Sequence, residues 1–393
     1  MSKLIGQGGF GCIYYPGITC NGETNKNRTL VSKLHVDDND SKNEVKIGKF
    51  VMQIKNYRQF FSPIVKTCPV NLNAIDKKNI GDCEVVDKHS DAKFVISYVR
   101  YINGSNLDKY ILGFEKQDFV ITVINSYYYL INSLQILNKN DIIHFDIKGE
   151  NIMHDSVAAI ILDFGLSIKI SDITISNLDR LREYFYTYAT DYYIWCPEIH
   201  IISYIVLNNG RDGHSSESLF NLDMLNIVLD DIANNNRILE FFSDDFKILY
   251  HKSLYNFMKQ FIDKPNIFVI RELIKYNKTW DMYSLSVLYL KVIYKRGERD
   301  HGERDHSRGV RDQDSTNKSI SNILSQLFLL NINPDPRKRR SFESTKRLLY
   351  RLFAFGDHDL DGLGNLNNDI EFTLNSNQEI DFKTRILPYL HIF

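Results

Sequence analysis

The stretch IIHFDIKGENIM, residues 142–153, sets a carboxylate, an amine and an amide at fixed spacing: Asp146, Lys148 and Asn151. A carboxylate in such a loop can orient an attacking hydroxyl and accept its proton. Lys148 can stabilise charge on a transferring phosphoryl group. The Asn151 amide oxygen suits magnesium, a hard cation that prefers oxygen ligands. Twelve residues after Asn151, the run IILDFGL ends an apolar strand on Asp163, placed to hold the other face of the metal. A strand ending in a carboxylate is usually structural only where a cap or an ion-pair partner exists. Two such motifs at hairpin spacing point instead to one site.

A second group lies at the N-terminus. In IGQGGFGCI, Gly6, Gly8 and Gly11 form G-x-G-x-x-G, and glycines let a backbone approach phosphates closely. Ile5, Gly6, Gln7, Gly8, Gly9, Phe10, Gly11 and Ile13 are the candidate nucleotide-facing residues. The same spacing matches a dinucleotide-binding turn. That fold opens a helix directly at the glycines, whereas Cys12-Ile13-Tyr14-Tyr15 continues as a strand, so a glycine-rich hairpin fits better. Lys33, in LVSKL, is placed to neutralise phosphate oxygens from a strand, the alternative being a solvent-exposed strand lysine. Glu44, eleven residues on, is its candidate partner, with Glu84 and other carboxylates as alternatives.

These groups need elements to position them. Short apolar or β-branched runs at Leu4–Ile5, Cys12–Tyr15, Thr29–Leu34 and Ala92–Val99 predict strands, with one helix over Asn43–Lys55. Val120, Val123, Ile124, Tyr127, Leu130, Ile131, Leu134 and Leu137 recur at helical spacing and predict a long helix with one buried face. Ile142–Ile143, Asn151–Met153 and Ala159–Leu162 read as brief strands that present loops. Helical patterns follow over Leu219–Glu240, Phe246–Ile262, Ile267–Tyr276, Trp280–Tyr294, Ile320–Leu330 and Phe342–Phe355. The stretch Arg296–Ser319, with its tandem GERDH-GERDH, has high charge of both signs and almost no apolar residue, and predicts a disordered loop.

Composition sets the outer limits. Apolar residues are 43% and charged residues 25% of 393, the balance of a soluble globular protein with room for one large core or two lobes. Lys plus Arg number 48 against 49 Asp plus Glu, so nothing points to nucleic acid or an anionic membrane. No apolar run approaches the roughly 18 residues of a membrane span, and no signal peptide is visible. The five scattered cysteines form no CxxC pair and read as reduced thiols in a cytoplasmic compartment.

Taken together, the glycine-rich loop, the strand lysine, H-x-D-x-K-x-x-N and D-F-G resemble the protein-kinase signature set. The likeness runs on in order from about residue 4 to 355. Trp195-Cys196-Pro197-Glu198 resembles A-P-E with Cys196 for alanine, and Asp281-Met282-Tyr283-Ser284-Leu285-Ser286 resembles D-x-W-S-x-G. Asp335 to Ser341 resembles D-P-x-x-R-x-S, whose arginine in that family pairs with the A-P-E glutamate, here Arg339 with Glu198. The Asn/Ile-rich style resembles the divergent kinases of large DNA viruses.

The resemblance implies an α+β, two-lobed fold. A small β-rich lobe over 1–100 would bind ATP, and a helical lobe over 101–355 would carry the catalytic loop. That lobe would hold an insertion at about 201–278 and the charged loop at about 296–319, with a C-terminal extension over 356–393. Tyr101 to Leu107 aligns with the hinge of that family, which sets Ile102 against the adenine. The implied activity is Ser/Thr protein kinase: ATP and magnesium as cofactors, a protein as substrate, Asp146 and Lys148 catalytic, Asn151 and Asp163 on the metal. Alternatives are a kinase-fold scaffold without catalysis and a small-molecule kinase. Phe145 replaces the arginine of H-R-D, which in the family pairs with an activation-segment phosphate, and so implies activity without that switch. Thr190-Asp191-Tyr192-Tyr193 aligns with G-T-x-x-Y only with an extra residue, and aligns Thr190 with a contact to Asp146 and Lys148. Docking of a substrate or regulator is the sharper reading of the insertion, added packing the plainer one. DHDLDG at Asp357–Gly362 resembles a calcium loop, but Asn368 stands where a bidentate glutamate is needed, so an exposed acidic loop is preferred.

Overall fold

Strand pairing begins at the glycines. In the computed structural model, which describes residues 2–8, 11–75, 77–81, 83–89, 91–175, 178–208, 218–304 and 324–353, the mixed α+β chain divides into two compact units. The first takes in residues 2–107 and 139–169, the second 108–138 and 170 onward.

In the first unit β1 (Lys3–Gly8) and β2 (Gly11–Tyr15) form an antiparallel hairpin with Gly8 opposite Gly11. The glycine motif is therefore on a hairpin and not on a strand-to-helix turn. Gly11 has φ +139°, and a Cβ there would stand 2.7 Å from the Leu34 carbonyl oxygen, so only glycine fits. β2 pairs with β3 (Leu30–Val36). Beyond β4 (Phe61–Ser62), β5 (Ile64–Val70) and β6 (Phe94–Arg100) complete a sheet in the order β1-β2-β3-β6-β5. Tyr14, Ile18, Leu34, Phe94 and Ile96 fill its core.

One helix, α1 (Asn39–Val51), carries Glu44, Ile47, Gly48 and Val51 on its buried face. Asp38 caps it: its carboxylate accepts from Ser41 N while Ser41 Oγ accepts from Asp38 N, so the helix start is fixed at both ends of a capping box. The short helices α2 (Lys77–Ile80) and α3 (Glu84–Lys88) precede β6. A second sheet, β4-β10-β9-β7, is made by β7 (Ser105–Asn106), β9 (Ile152–His154) and β10 (Ala159–Leu162). β8 (Ile142–Ile143) pairs with β11 (Ile168–Lys169). The strands predicted at 142–143, 151–153 and 159–162 thus form, and the loops between them carry the candidate site residues.

The cysteines correct the sequence reading. Four of the five are paired and not reduced: Cys12 with Cys83 and Cys20 with Cys68, each pair with Cα atoms 6.0 Å apart, which leaves Cys196 as a buried free thiol. Their separations of 71 and 48 residues gave no local spacing signal; the sheet itself brings them into reach.

The second unit is largely helical. After α4 (Leu107–Leu112), the predicted long helix forms as α5 (Lys116–Lys139), and all of its predicted face but the half-buried Ile124 is buried. Then come α6 (Leu178–Leu181) and α7 (Pro197–Asn208), with proline at the first helical position, where its missing N–H costs nothing. The stretch expected as an insertion, about 201–278, contains α8 (Leu222–Asn235), α9 (Asp244–Met258) and α10 (Asn266–Ile274). A two-stranded ribbon of β12 (Leu219–Phe220) and β13 (Lys264–Pro265) joins them. α11 (Trp280–Arg304) buries Met282, Leu285, Leu288, Tyr289 and Val292, as the spacing predicts. It also runs on through Arg304, into the stretch expected to be disordered, where Arg296 donates to the Phe114 carbonyl and pairs with Glu115. Residues 305–319 of that stretch, and the acidic loop at 357–362, lie outside the described residues.

Tyr127 of α5 meets the rings of Tyr289 and Phe328, the latter on α12 (324–331). The hydroxyls of this cluster are satisfied: Tyr127 Oη and Ser286 Oγ are 2.8 Å apart, and Tyr289 Oη donates to Ser126 Oγ. α13 (Phe342–Phe353) ends the described chain. Among the described residues, no helix is long and apolar enough to cross a membrane.

Candidate active site

Lys33 is central in β3, opposite Ile13 of β2 and Ser97 of β6. Its Nζ donates to Glu44 Oε2 at 2.9 Å and to Asp163 Oδ1 at 3.4 Å. The expected Lys33–Glu44 pair is present, and Glu84 instead pairs with Lys88. Burial works against the lysine charge, but Asp163 and Glu44 outweigh it and hold the Lys33 pKa above its ordinary value. Burial lifts the Glu44 carboxyl and Lys33 opposes that lift. The 2.9 Å geometry, with one acceptor and one three-donor head, is that of an ion pair.

Asp163 follows β10 with φ 58°, a left-handed backbone that few non-glycine residues adopt. Its Oδ1 also accepts from Gly165 N at 3.3 Å. Burial alone would raise its pKa, yet Lys33 and the Gly165 amide hold the carboxyl below the usual range. Its side chain is 29% exposed, the open corner of the cluster.

Asp146, Lys148 and Asn151 meet in the loop between β8 and β9. Lys148 Nζ lies 2.9 Å from Asp146 Oδ2, and Asn151 Nδ2 donates to the same oxygen at 2.8 Å and to the Asp146 carbonyl at 3.0 Å. A 3-10 turn over Gly149–Asn151 brings the amide back onto the carboxylate. Phe145 has φ 68° and is buried. A bulky side chain in that region is strained, which fixes the loop path at some energetic cost.

Three residues outside the candidate site set, of which only His144 belonged to a motif, tie the loops together. His144 Nε2 donates to the Leu162 carbonyl at 2.9 Å, and Ser167 Oγ donates to the His144 carbonyl at 3.0 Å. Asn43, one position before Glu44, donates through Nδ2 to the carbonyls of Gly165 and Ser167 at 2.8 and 2.9 Å. The helix that supplies Glu44 therefore also grips the backbone after Asp163. Short polar side chains bonded to distant carbonyls leave no periodic trace in a sequence.

The described bonds to Asn151 use its amide nitrogen and those to Asp163 use Oδ1. This leaves one oxygen on each for a hard cation, so the donor set fits magnesium. Gly6, Gln7 and Gly8 are exposed on β1, with Ile5 53% exposed at a register shift between Leu4 and Gly6, and Ile13 is half-buried on β2. Gly9 and Phe10, at the hairpin tip, lie outside the described residues. Ile102 is buried after β6. Two residues on, Gly104 passes so close to the His154 carbonyl that a Cβ would collide with it. A pocket of about 90 Å³ between β3 and α1 is framed by Lys33, Glu44 and Asp163.

The second unit contains the other pair expected from the resemblance. Arg339 forks onto Glu198, with Nη1–Oε1 at 2.8 Å and Nη2–Oε2 at 2.7 Å, both side chains sealed from solvent. Thr190 is buried, and its hydroxyl accepts from Asn235 at 3.1 Å.

No protein-family model matches the chain. Over 179 residues it is 27% identical to the mitogen-activated protein kinase kinase kinase MST11 of Pyricularia oryzae, a stretch that takes in 44% of this chain and 17% of that protein. The chain thus spans under a fifth of the length of the curated relative it matches, and the likeness supports a protein-kinase-like relationship at that level.

Proposed function

We propose that the chain transfers the γ-phosphate of ATP to serine or threonine hydroxyls of a protein. One observation carries the reading: Lys33 bridges Glu44 and Asp163, residues 11 and 130 positions away, within the unit that also holds Asp146, Lys148 and Asn151. A bridged lysine is a fixed positive charge suited to phosphate oxygens. Asp146, its Oδ2 held by Lys148 and Asn151, is oriented to take the proton of the acceptor hydroxyl. Lys148 then offsets charge on the phosphoryl group in flight. Asn151 and Asp163 would hold magnesium, which when bound screens the phosphate charge. The glycine hairpin, from Ile5 to Ile13, would cover the phosphates, and Ile102 would pack on the adenine.

The partial likeness to a protein kinase supports the phosphotransfer class. The Ser/Thr specificity rests on Lys148, two residues after Asp146, as in the resembled family. The test is labelling with magnesium and radiolabelled ATP, using a basic generic protein as acceptor. We expect phosphoserine or phosphothreonine, and a loss of about 10²–10⁴-fold for Asp146→Ala. Equal labelling by that variant would overturn the mechanism, and phosphotyrosine as the main product would overturn the specificity.

A further inference from the structure

The segment from Tyr188 to Ile194, which lies between Asp163 and Glu198, is gripped from two sides within the second unit. On one side stands α11: Ser284 Oγ donates to the Ile194 carbonyl at 2.6 Å, and Lys291 Nζ donates to Tyr193 Oη at 2.7 Å. On the other stands α8, a helix of the insertion. Tyr188 Oη donates to Asp231 Oδ2 at 2.7 Å, and Asn235 Nδ2 donates to Thr190 Oγ1 at 3.1 Å.

Residues 231 and 235 are four apart on one helix, so they share a face and sit about one turn from each other. Their partners are two apart in the segment. The result is a two-point clamp, steadied by the Tyr188 ring edge-on to Tyr204 of α7 at 5.2 Å. Burial first, and then the Asp231 charge, push the Tyr188 hydroxyl above its ordinary pKa, so it stays a donor at physiological pH. Added packing explains the apolar face of α8, where Leu225, Val228, Leu229 and Ile232 are buried. It does not explain a carboxylate and an amide aimed at one irregular segment.

We propose that α8 is a positioning latch for the segment 188–194, with Asp231 and Asn235 as positioning residues that fix Tyr188 and Thr190, and that this segment, ahead of the A-P-E-like Trp195-Cys196-Pro197-Glu198, takes part in recognising the protein acceptor. The proposal rests on the phosphotransfer reading above. It assigns the insertion a task that Phe145 leaves open, since this chain lacks the arginine through which a phosphate would order the segment. The latch is permanent, made of neutral and carboxylate side chains, and needs no modification to close.

The test compares the full wild-type chain with Asp231→Ala/Asn235→Ala and with Asp231→Asn, whose amide oxygen can still accept from Tyr188. Initial rates are measured with magnesium-ATP and myelin basic protein as acceptor, alongside hydrolysis of ATP without acceptor. The double variant should raise KM for the acceptor about tenfold, with KM for ATP and the hydrolysis rate within about twofold of wild type. Asp231→Asn should track wild type. An unchanged acceptor KM, an equal rise in the ATP KM, or an Asp231→Asn as impaired as the alanine variant would each overturn the latch. Amide exchange over residues 188–194 gives a readout independent of activity: the double variant should exchange about tenfold faster there. Unchanged exchange overturns the latch. A wild-type chain that transfers no phosphate overturns the phosphotransfer reading and the acceptor role with it, and exchange still decides whether α8 orders the segment.

Discussion

Each unit buries a cation against a carboxylate, and the two do it in opposite ways. Arg339 and Glu198 are sealed, with side-chain exposures of 0% and 1%, and Arg339 further donates to the Asn333 carbonyl and Thr279 Oγ1. Lys33 shares its one charge between Glu44 and Asp163, and Asp163 is 29% exposed. A sealed fork has no donor left for a ligand and stabilises its surroundings. A shared cation with an open corner keeps charge within reach of something that arrives later. On the proposed function, the difference separates a structural pair from a chemical one, although both pairs have a contact near 2.8 Å.

The sharpest way to break this comparison is to replace each cation by an apolar chain of similar length. Arg339→Met strands Glu198 together with two further acceptors in a closed space, so it should cost about 3–5 kcal/mol in urea denaturation. Lys33→Met leaves one carboxyl that burial already pushes toward its neutral form and one that water reaches. It should cost only about 1–2 kcal/mol, while phosphotransfer falls about 10²–10³-fold. Equal stability losses, or an active Lys33→Met, would erase the distinction.

The disulfides sharpen the contrast at the level of whole units, because both lie in the first. Cys12→Ser with Cys83→Ser should lower the stability of that unit by about 2–4 kcal/mol, reduction of both bridges should lower it further, and neither should affect the second unit. Thiol labelling of unreduced, denatured protein should find Cys196 alone; five labelled thiols would refute the pairing. Nothing in the sequence announced these bridges, since the partners are far apart and the total is odd. The edge strand β5 was equally silent. Its sequence IVKTCPV is mostly solvent-facing, with Lys66 on the face where Cys68 and Val70 pack on the core and alternation would show an apolar residue, and Pro69 is tolerated because β5 ends the sheet. What was legible had periodicity or motif spacing behind it: the α5 and α11 faces, the glycine hairpin, and Asp146 to Asn151. The Glu198–Arg339 fork, 141 residues apart, was visible only through family resemblance. The α8 contacts to Tyr188 and Thr190, and the grip of Asn43, required the fold.

The last expected effect concerns a buried base beside the Lys33 cluster. His35 Nε2 stands 2.8 Å from Ser97 Oγ, and burial, then the Lys33 charge, lower its pKa to about 4, against the pull of Asp38, Asp163 and Asp37. The unfolded chain binds a proton near the ordinary value of about 6.5, so between that value and 4 it holds more protons than the fold. Stability from a neutral His35 is then complete above about pH 6.5 and is lost as pH falls toward 4, by at most about 3 kcal/mol. Other groups titrate in the same window, and Glu44 acts with the opposite sign because its carboxyl is raised. The difference between wild type and His35→Gln isolates the histidine, since glutamine can still bond to Ser97 but takes no proton. Urea midpoints of the two proteins should converge as pH drops from 7 to 4.5, with the variant losing less. If they run parallel, His35 carries a proton in the fold, and β3 tolerates a second cation two residues from Lys33, which the sharing of one charge by Glu44 and Asp163 argues against.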